Sequence, residues 1–392
     1  MNVDLVQPKF KAPTGAERFI LSLGRALAAR GCRVRIVCHQ FDPRCRALAD
    51  GLIVDASGRQ LDWSGNHYLD SIASYVHCFS LRRRFAADAD VVCLFGPALP
   101  LAALRAPRPA RLVHFCYEPP RAVGLDRDDV LARVGAWRWA LRPALAAYRA
   151  IDHWLIDRVE AVLVSGPFAQ VLVRDEYGIA SHVITPGVSF TGMPIDRVAA
   201  RAALGLDDQD RVALTVNFLP PRKRVDLLLR AWVRVEAELP AATLVVVGDG
   251  PERQPLERLA GELCLRRVRF AGYVNEEEMG RYYAASDLVA HVARQETFGL
   301  TIVEGAAHGL PAVVVDEGGP RYTVIDGETG LRLAADEGAV AGGLVRLLGE
   351  PATARRMGEN ARAQIAPRYT WERGAEDFLA ACGAHLDLCA RS

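Results

Sequence analysis

The sequence predicts two α/β domains, each with a doubly wound parallel sheet, that face each other across a central cleft. Short apolar runs typical of buried strands alternate with amphipathic helical segments along the whole chain, which is the signature of parallel sheets. The length of 392 residues is enough for two such domains. Because open parallel sheets bind ligands beyond the carboxyl ends of their strands, we expect the ligand site in the cleft.

The elements follow from local periodicity. The opening residues, from Met1 to Gln7, have a strand-like pattern, and apolar residues at three- and four-residue steps predict helices over Ala16–Arg30 and Val225–Glu238. Further strands are predicted, in chain order, at Val34–Val37, Val91–Phe95, Arg111–Phe115, Ala161–Val164, Val212–Asn217, Thr243–Val247, Val268–Phe270, Leu288–His291 and Ala312–Val315.

The pattern is weakest at Ser189–Asp210, after Pro186-Gly187, and we expect a linker there. This divides the chain into a first domain over residues 1–190 and a second that starts at residue 191. The first has 24 Lys and Arg against 18 Asp and Glu, a net charge of +6, whereas the rest of the chain has a net charge of −5. The basic half is consistent with an anionic partner, such as a lipid phosphate at a membrane surface, or with chance composition.

Composition favours an ordinary globular protein in the cytoplasm. The longest apolar stretch without charge, Val91–Leu104, holds two prolines and is too short to cross a bilayer. The nine cysteines are scattered and never spaced as Cys-x-x-Cys, which indicates free thiols rather than disulfides or a zinc site. No stripe of Lys and Arg alternates with aromatic residues, so no nucleic-acid partner is expected.

The segment with the clearest chemistry is Arg294-Gln-Glu-Thr-Phe-Gly-Leu-Thr-Ile-Val-Glu304, which follows a predicted strand and opens a helix. Glu296 falls in the loop and Glu304 about one turn into the helix. Gly299 between them lets backbone amides approach a ligand, and a helix N-terminus stabilises an anion. Two carboxylates beside free amides suit a ligand that carries both hydroxyls and phosphates.

The pattern Glu296-x-Phe-Gly-Leu-x-x-x-Glu304 resembles the E-x7-E motif of retaining glycosyltransferases of family 4, which have the GT-B fold. The resemblance extends over almost the whole chain. Its other segments are Thr14-Gly-Ala-Glu-Arg18, Val245-Val-Val-Gly-Asp-Gly-Pro251, Phe270-Ala-Gly-Tyr-Val274, Tyr282-Tyr-Ala-Ala-Ser-Asp287, Gly309-Leu-Pro-Ala-Val-Val-Val315, Gly318-Gly319 and Asp326-Gly-Glu-Thr-Gly330.

The resemblance implies transfer of a hexose from a UDP- or GDP-sugar, with a weak preference for GDP-mannose, to a glycan, lipid-linked or small-molecule acceptor. The first domain would bind the acceptor, the second (191–365) the donor, and residues 366–392 would cross back onto the first. The implied catalytic residues are Lys223, Glu296, His114 and Tyr117. The implied donor-binding residues are Gly15, Arg222, Gly248, Tyr273, Val274, Glu296, Phe298, Gly299, Leu300 and Glu304, with Glu118 and Arg121 on the acceptor side.

In this reading Glu304 holds the ribose hydroxyls and Glu296 binds a hydroxyl of the donor sugar. Lys223 neutralises the departing nucleoside diphosphate, so that preorganised positive charge meets the charge that develops as the glycosidic bond breaks. No metal or other cofactor is expected. Asp88-Ala-Asp90 spells a metal-binding pattern, but a turn before the next strand explains it better.

The chain departs from the family pattern at three places. Phe218 stands where an Arg usually precedes the Lys by five residues, and Arg222 or Arg224 is the candidate substitute. Tyr322 occupies the position of a Glu. The active-site His of the pattern Cys-His-Glu-Pro-Pro-Arg falls at Tyr117, so that either His114 or the Tyr117 hydroxyl would serve the sugar. A non-catalytic partner subunit, or an epimerase or hydrolase of the same fold, remain the alternatives.

Overall fold

The computed structural model describes residues 1–11, 15–59, 77–104, 110–120, 138–188 and 195–383. The chain divides into two compact units. Unit 1 comprises Met1–Gly187 and the chain from Trp371 onward, and unit 2 comprises Val188–Thr370. No helix in the described ranges is both long and apolar enough to span a bilayer.

Unit 1 is built on a seven-stranded parallel sheet with the order β5-β3-β1-β6-β7-β8-β9. The sheet strands are β1 (Asn2–Val6), β3 (Arg33–Cys38), β5 (Ile53–Ala56), β6 (Val91–Phe95), β7 (Arg111–Phe115), β8 (Ala161–Val164) and β9 (His182–Val183), and the short β2 (Lys9–Phe10) and β4 (Gln40–Phe41) pair separately. Its helices are α1 (Gly15–Ala29), α2 (Arg138–Ile156) and α3 (Pro167–Tyr177).

Unit 2 holds a six-stranded parallel sheet with the order β12-β11-β10-β13-β14-β15. The strands are β10 (Arg211–Val216), β11 (Ala242–Val247), β12 (Val268–Gly272), β13 (Leu288–His291), β14 (Ala312–Val315) and β15 (Gly330–Leu333). The helices are α4 (Arg197–Ala203), α5 (Val225–Glu238), α6 (Arg253–Glu262), α7 (Glu276–Ala285), α8 (Leu300–Ala307), α9 (Pro320–Thr323), α10 (Glu337–Gly349) and α11 (Pro351–Gln364).

Each unit is a doubly wound α/β sheet, as predicted. The central strands consist of buried apolar residues because helices cover both faces. In each sheet the order of connection reverses once, between β1 and β6 in unit 1 and between β10 and β13 in unit 2. Such a reversal opens a crevice at the carboxyl ends of the strands, where ligands bind in sheets of this kind.

The last helix, α12 (Trp371–Ala381), belongs to unit 1. Phe378 is fully buried in the core that α1 also lines, and the backbone N–H of Thr185 donates to Asp377 Oδ2 over 3.0 Å. A Cβ on Gly374 would lie 2.5 Å from the Thr185 carbonyl oxygen, so glycine is required for this close packing.

The predicted linker is wrong where it can be compared with the structure. Residues 189–194 lie outside the described ranges, but α4 occupies the middle of the remaining segment. Arg201 on α4 is fully buried: its guanidinium donates to the carbonyl oxygens of Ala285, Asp207 and Asp208 and pairs with Asp287 over 3.0 Å. A buried, fully paired charge is invisible to an apolar-periodicity criterion, which explains why the helix was missed.

The Asp88-Ala-Asp90 segment has the structural role expected of a turn. Asp90 Oδ2 accepts from the backbone N–H of Asn2 over 2.7 Å, and Asp88 Oδ2 accepts from the Asn2 side chain over 3.0 Å. Both carboxylates therefore hold the beginning of β1.

Candidate functional site

The site predicted in unit 2 lies at the topological reversal of its sheet. A 3-10 turn, Pro221–Lys223, follows β10, and the loop that carries Glu296 follows β13. These are the two strands between which the order of connection reverses. The backbone N–H of Arg294 donates to the carbonyl of Arg222 over 2.8 Å and joins the two segments. The fold thus brings together residues that are more than 70 positions apart in the sequence.

Glu296 is the centre of this site. It is only 9% exposed, and its Oε2 accepts a hydrogen bond from Lys223 Nζ. Arg222 Nη1 lies 3.6 Å from the same oxygen. Burial by itself would raise the pKa of this carboxyl, but the positive charge of Lys223 and contacts with His291 and Arg222 hold the pKa well below its ordinary value. Glu296 is therefore an ionised carboxylate that faces two cations.

His291, which the sequence analysis did not single out, ends β13 next to this carboxylate. It is 2% exposed, and its Nε2 lies 3.7 Å from Glu296 Oε2. Its Nδ1 lies 3.4 Å from the hydroxyl of Thr301. Burial lowers the pKa of His291, so the ring is neutral at pH 7. A polar residue at the carboxyl end of an otherwise apolar strand is the signal that could have identified it.

The loop between Glu296 and α8 has one backbone conformation that only glycine adopts easily. Gly299 has φ +89° and caps α8, which begins at Leu300. Phe298 is buried against Tyr369, with ring centroids 5.2 Å apart. The N-terminus of α8, which is the positive end of its helix dipole, follows Glu296 by four residues.

The glycine pair Gly318-Gly319 also contacts the loop that carries Glu296. The backbone N–H of Gly319 donates to the Glu296 carbonyl over 2.6 Å. A Cβ on Gly318 would lie 2.5 Å from that carbonyl oxygen, and one on Gly319 would lie 2.5 Å from the Thr297 carbonyl oxygen. The Gly318-Gly319 turn can therefore approach the backbone of the Glu296 loop only because it lacks side chains.

Glu304, the second carboxylate of the motif, lies on α8. Its Oε2 accepts a hydrogen bond of 2.6 Å from the hydroxyl of Tyr283, on α7. The Tyr283 ring stacks on His308, with centroids 4.8 Å apart and ring planes 19° apart. Tyr283 belonged to a segment of the family resemblance but was not predicted to be a site residue. The contact ties the Glu304 side chain to α7.

The turn after β11 shows why glycine is needed at position 248. Gly248 has φ +123°, and a Cβ on it would lie 1.7 Å from the carbonyl oxygen of Asn217. Its N–H donates to the Gly272 carbonyl over 2.7 Å. The ends of β10, β11 and β12 therefore meet without intervening side chains. Beyond them Tyr273 is exposed and Val274 is half-buried.

One of the departures from the family pattern lies at this edge. Phe218 is 62% exposed immediately beyond β10, where an arginine would be expected. Of its candidate substitutes, Arg222 points to Glu296, whereas Arg224 Nη1 lies 3.2 Å from Glu317 Oε1. The structure thus brings Arg222, and not Arg224, to the carboxylate.

The predicted residues of unit 1 lie among aromatic side chains. His114 is 4% exposed, its Nδ1 lies 2.8 Å from the Leu94 carbonyl oxygen, and burial lowers its pKa from 6.5 to about 4. His114 is therefore a buried, neutral ring at pH 7 within the sheet, and the catalytic role implied for it stays a prediction. Tyr117 donates its hydroxyl to the Ala16 carbonyl over 3.4 Å and packs edge-on against Phe115.

The remaining predicted residues of unit 1 are less defined. Gly15 begins α1 and is exposed, and no described residue has an atom within 4 Å of a Cβ built on it. Glu118 follows Tyr117 and is half-buried. Arg121 lies outside the described residues.

Comparison with known proteins agrees with this architecture. A family model described as "Glycosyltransferase Family 4" matches residues 13–191, and one described as "Glycosyl transferases group 1" matches residues 196–364. A D-inositol 3-phosphate glycosyltransferase of Nocardia farcinica is 37% identical over 214 residues, or 52% of this chain and 47% of that protein. One of Mycobacterium sp. strain KMS is 39% identical over 218 residues, 52% of this chain and 48% of that protein. The chain spans about half the length of these curated relatives.

Solved structures share the fold over nearly the full chain. Anabaena Alr3699/HepE in complex with UDP and glucose has a TM-score of 0.76 and 18% identity, covering 97% of this chain and 99% of that one. Sucrose-phosphate synthase from Thermosynechococcus elongatus has a TM-score of 0.75 and 21% identity, covering 96% and 97%. At these identities the similarity confirms the fold.

Proposed function

This chain belongs to the group 1, family 4 glycosyltransferases and has their GT-B fold, and from this premise we propose that it transfers a hexose from a UDP- or GDP-sugar with retention of configuration. The acceptor would be a glycan, a lipid-linked sugar or a small molecule. The relatives named as D-inositol 3-phosphate glycosyltransferases support the reaction class, and the neighbour solved with UDP and glucose supports a nucleotide-sugar donor.

The observation that carries the proposal is the convergence of Lys223 and Arg222 on Glu296 at the reversal of the sheet. A departing nucleoside diphosphate gains negative charge as the glycosidic bond breaks. Two cations and the N-terminus of α8, gathered at this edge before the substrate arrives, would stabilise that charge. We propose that these groups of the chain supply the positive charge in place of a metal ion.

The Phe218 departure fits this arrangement. Because Arg222 already lies 3.6 Å from Glu296, the basic residue missing at position 218 would be replaced from within the same turn as Lys223. Arg222 side-chain exposure of 35% leaves it accessible to a ligand phosphate. The two cations would then be adjacent donors on one short 3-10 turn.

The two carboxylates have separate roles in the proposal. Glu296, ionised and facing the cations, would accept a hydroxyl of the hexose. Glu304, which the Tyr283 hydroxyl contacts on Oε2, would accept the ribose hydroxyls. With one carboxylate in the loop and the other on α8, the pair would serve the two sugars at the ends of the diphosphate.

The first experiment is calorimetric titration of the full chain with UDP and with GDP, followed by the variants Lys223→Ala and Glu304→Ala. We expect selective binding of one nucleotide, weakened about a hundredfold by Lys223→Ala, or about 2.7 kcal/mol. A removed charge-assisted contact is worth this much in a partly buried site. Glu304→Ala should weaken binding about tenfold.

Arg230→Ala is the matched control. Arg230 is an exposed cation of the same unit, 4.0 Å from Glu337, and its removal should leave nucleotide affinity unchanged. If the folded wild-type chain binds neither nucleotide, the donor site as described is wrong. The configuration of the product, read by NMR after an acceptor is found, tests retention.

A non-catalytic partner subunit is the second candidate, and the exposed Phe218 in place of a phosphate-binding arginine is the observation that favours it. That reading predicts no nucleotide affinity, or an affinity that Lys223→Ala does not change. A hydrolase of the same fold would release free hexose from the donor without an acceptor. The titration and a hexose-release assay therefore separate the three readings.

A further inference from the structure

His291 is a buried polar side chain for which the proposed reaction provides no role. It ends β13, immediately before the loop of Glu296, and is 2% exposed. Its Nε2 has no hydrogen-bond partner in the described part of the chain. Leaving a buried N–H or lone pair unpaired costs free energy, so such an atom indicates a contact that the ligand-free geometry only approaches.

The ring of His291 lies between a hydroxyl and a carboxylate. The Thr301 hydroxyl, in the first turn of α8, lies 3.4 Å from Nδ1 and can donate or accept there. Glu296 Oε2, 3.7 Å from Nε2, belongs to an ionised carboxylate that only accepts, so it favours the tautomer with the proton on Nε2. The three side chains form one polar chain that runs from Thr301 through His291 to Glu296.

Three groups gather on one oxygen of Glu296. Lys223, Arg222 and His291 all face Oε2, whereas Oε1 accepts no hydrogen bond from any described residue. Oε2 therefore holds the Glu296 carboxylate in place, and Oε1 is the oxygen that can accept from a ligand. Among these three groups His291 is the buried one with no charge of its own.

We propose that His291 is a positioning residue, whose Nε2–H holds Glu296 Oε2 so that Oε1 faces the hexose hydroxyl when the ligand diphosphate draws Lys223 and Arg222 away. The inference rests on the proposed function. Its physical basis is competition: a diphosphate carries more charge than the carboxylate and attracts both cations. His291, fixed by β13 and by Thr301, cannot follow the cations and keeps Glu296 oriented.

The test compares ligands with and without the hexose. The full chain is titrated with UDP and UDP-glucose, and with GDP and GDP-mannose, as wild type and as His291→Leu, which keeps the volume but removes the donor. We expect His291→Leu to lower the affinity for the nucleotide-sugar about tenfold and the affinity for the nucleoside diphosphate less than about twofold. His291→Gln, which restores an N–H donor, should stay within about threefold of wild type for both ligands.

Each outcome decides the proposal. Equal affinity of His291→Leu and wild type for the nucleotide-sugar overturns it, and so does an equal loss for both ligands, which indicates general disruption of the site. Thr301→Val provides a second variant that leaves the β13 core untouched; it should weaken only the nucleotide-sugar, by about threefold. If wild type binds neither ligand, the proposed function itself fails, which is a different result from normal binding with an insensitive His291.

Discussion

The carboxyl ends of the two sheets share a topology but differ in chemistry. In unit 2 the edge at the reversal is ionic, with Lys223, Arg222 and Glu296 in contact. In unit 1, β6, which lies at the reversal, and its neighbour β7 end in aromatic residues: the rings of Phe95 and Phe115 stack with centroids 5.2 Å apart. The doubly wound fold fixes where a crevice forms, and the few residues at and just beyond the end of each strand decide whether it holds charge or serves as core.

The largest effect should come from breaking the aromatic edge. Phe115 contacts the rings of Phe19, Phe95 and Tyr117 and is fully buried, so Phe115→Ala should lower the free energy of unfolding by about 4 kcal/mol. Urea unfolding measures this. Phe218→Ala removes an exposed phenyl ring at the edge of unit 2, and it should change the free energy of unfolding by less than about 0.5 kcal/mol. Similar losses for both variants would contradict the contrast.

A smaller effect should appear in the pH dependence of unit 1. Burial lowers the pKa of His114 from 6.5 to about 4. Between pH 6.5 and pH 4, His114 therefore binds a proton in the unfolded chain but not in the folded chain. The stabilisation from this neutral ring is complete above pH 6.5 and is lost as the pH falls to 4, a change of about 3 kcal/mol.

His114→Asn, whose amide can still donate to the Leu94 carbonyl, isolates this contribution. The free energy of unfolding of wild type should fall more steeply than that of His114→Asn between pH 6.5 and 4, as measured by urea unfolding at several pH values. Parallel curves for the two proteins would show that the imidazole is accessible to protons in the folded state.

The smallest effect on stability is expected at Tyr117 in unit 1, the residue that aligns with the family's active-site histidine. Its hydroxyl makes only a long hydrogen bond to Ala16, so Tyr117→Phe should cost about 0.5 kcal/mol or less of stability. If the hydroxyl serves the donor sugar, as the family resemblance implies, hexose transfer should nevertheless fall. If Tyr117→Phe transfers hexose at the wild-type rate, Tyr117 contributes only to the aromatic core.

The sequence predicted most of the strands because central parallel strands are continuous apolar runs, as in Thr243–Val247. It did not predict β5, β9 and β15, which lie at the edges of the sheets and lack the continuous apolar run of a central strand. It placed a linker over α4, whose anchor is the buried, paired Arg201 rather than an apolar stripe.

The site residues were likewise predicted only in part, because some of their contacts leave no pattern along the sequence. A motif along the chain identified Glu296 and Glu304, and resemblance added Lys223, which the fold places against Glu296. His291 was not found because its neighbours along β13 are apolar and its partner, Thr301, lies across a turn that reverses at Gly299. Contacts that depend on a left-handed backbone residue have no periodic trace in the sequence.

The return of α12 to unit 1 has a consequence for synthesis. Because Phe378 fills the core beside α1, unit 1 remains incomplete until α12 has been translated. All of unit 2, from Val188 to Thr370, is synthesised before α12, and the backbone N–H of Val188 donates to the Tyr369 carbonyl near its two ends. Although domains usually fold in the order of synthesis, unit 2 can therefore close before unit 1, and truncation before Trp371 should leave unit 2 folded.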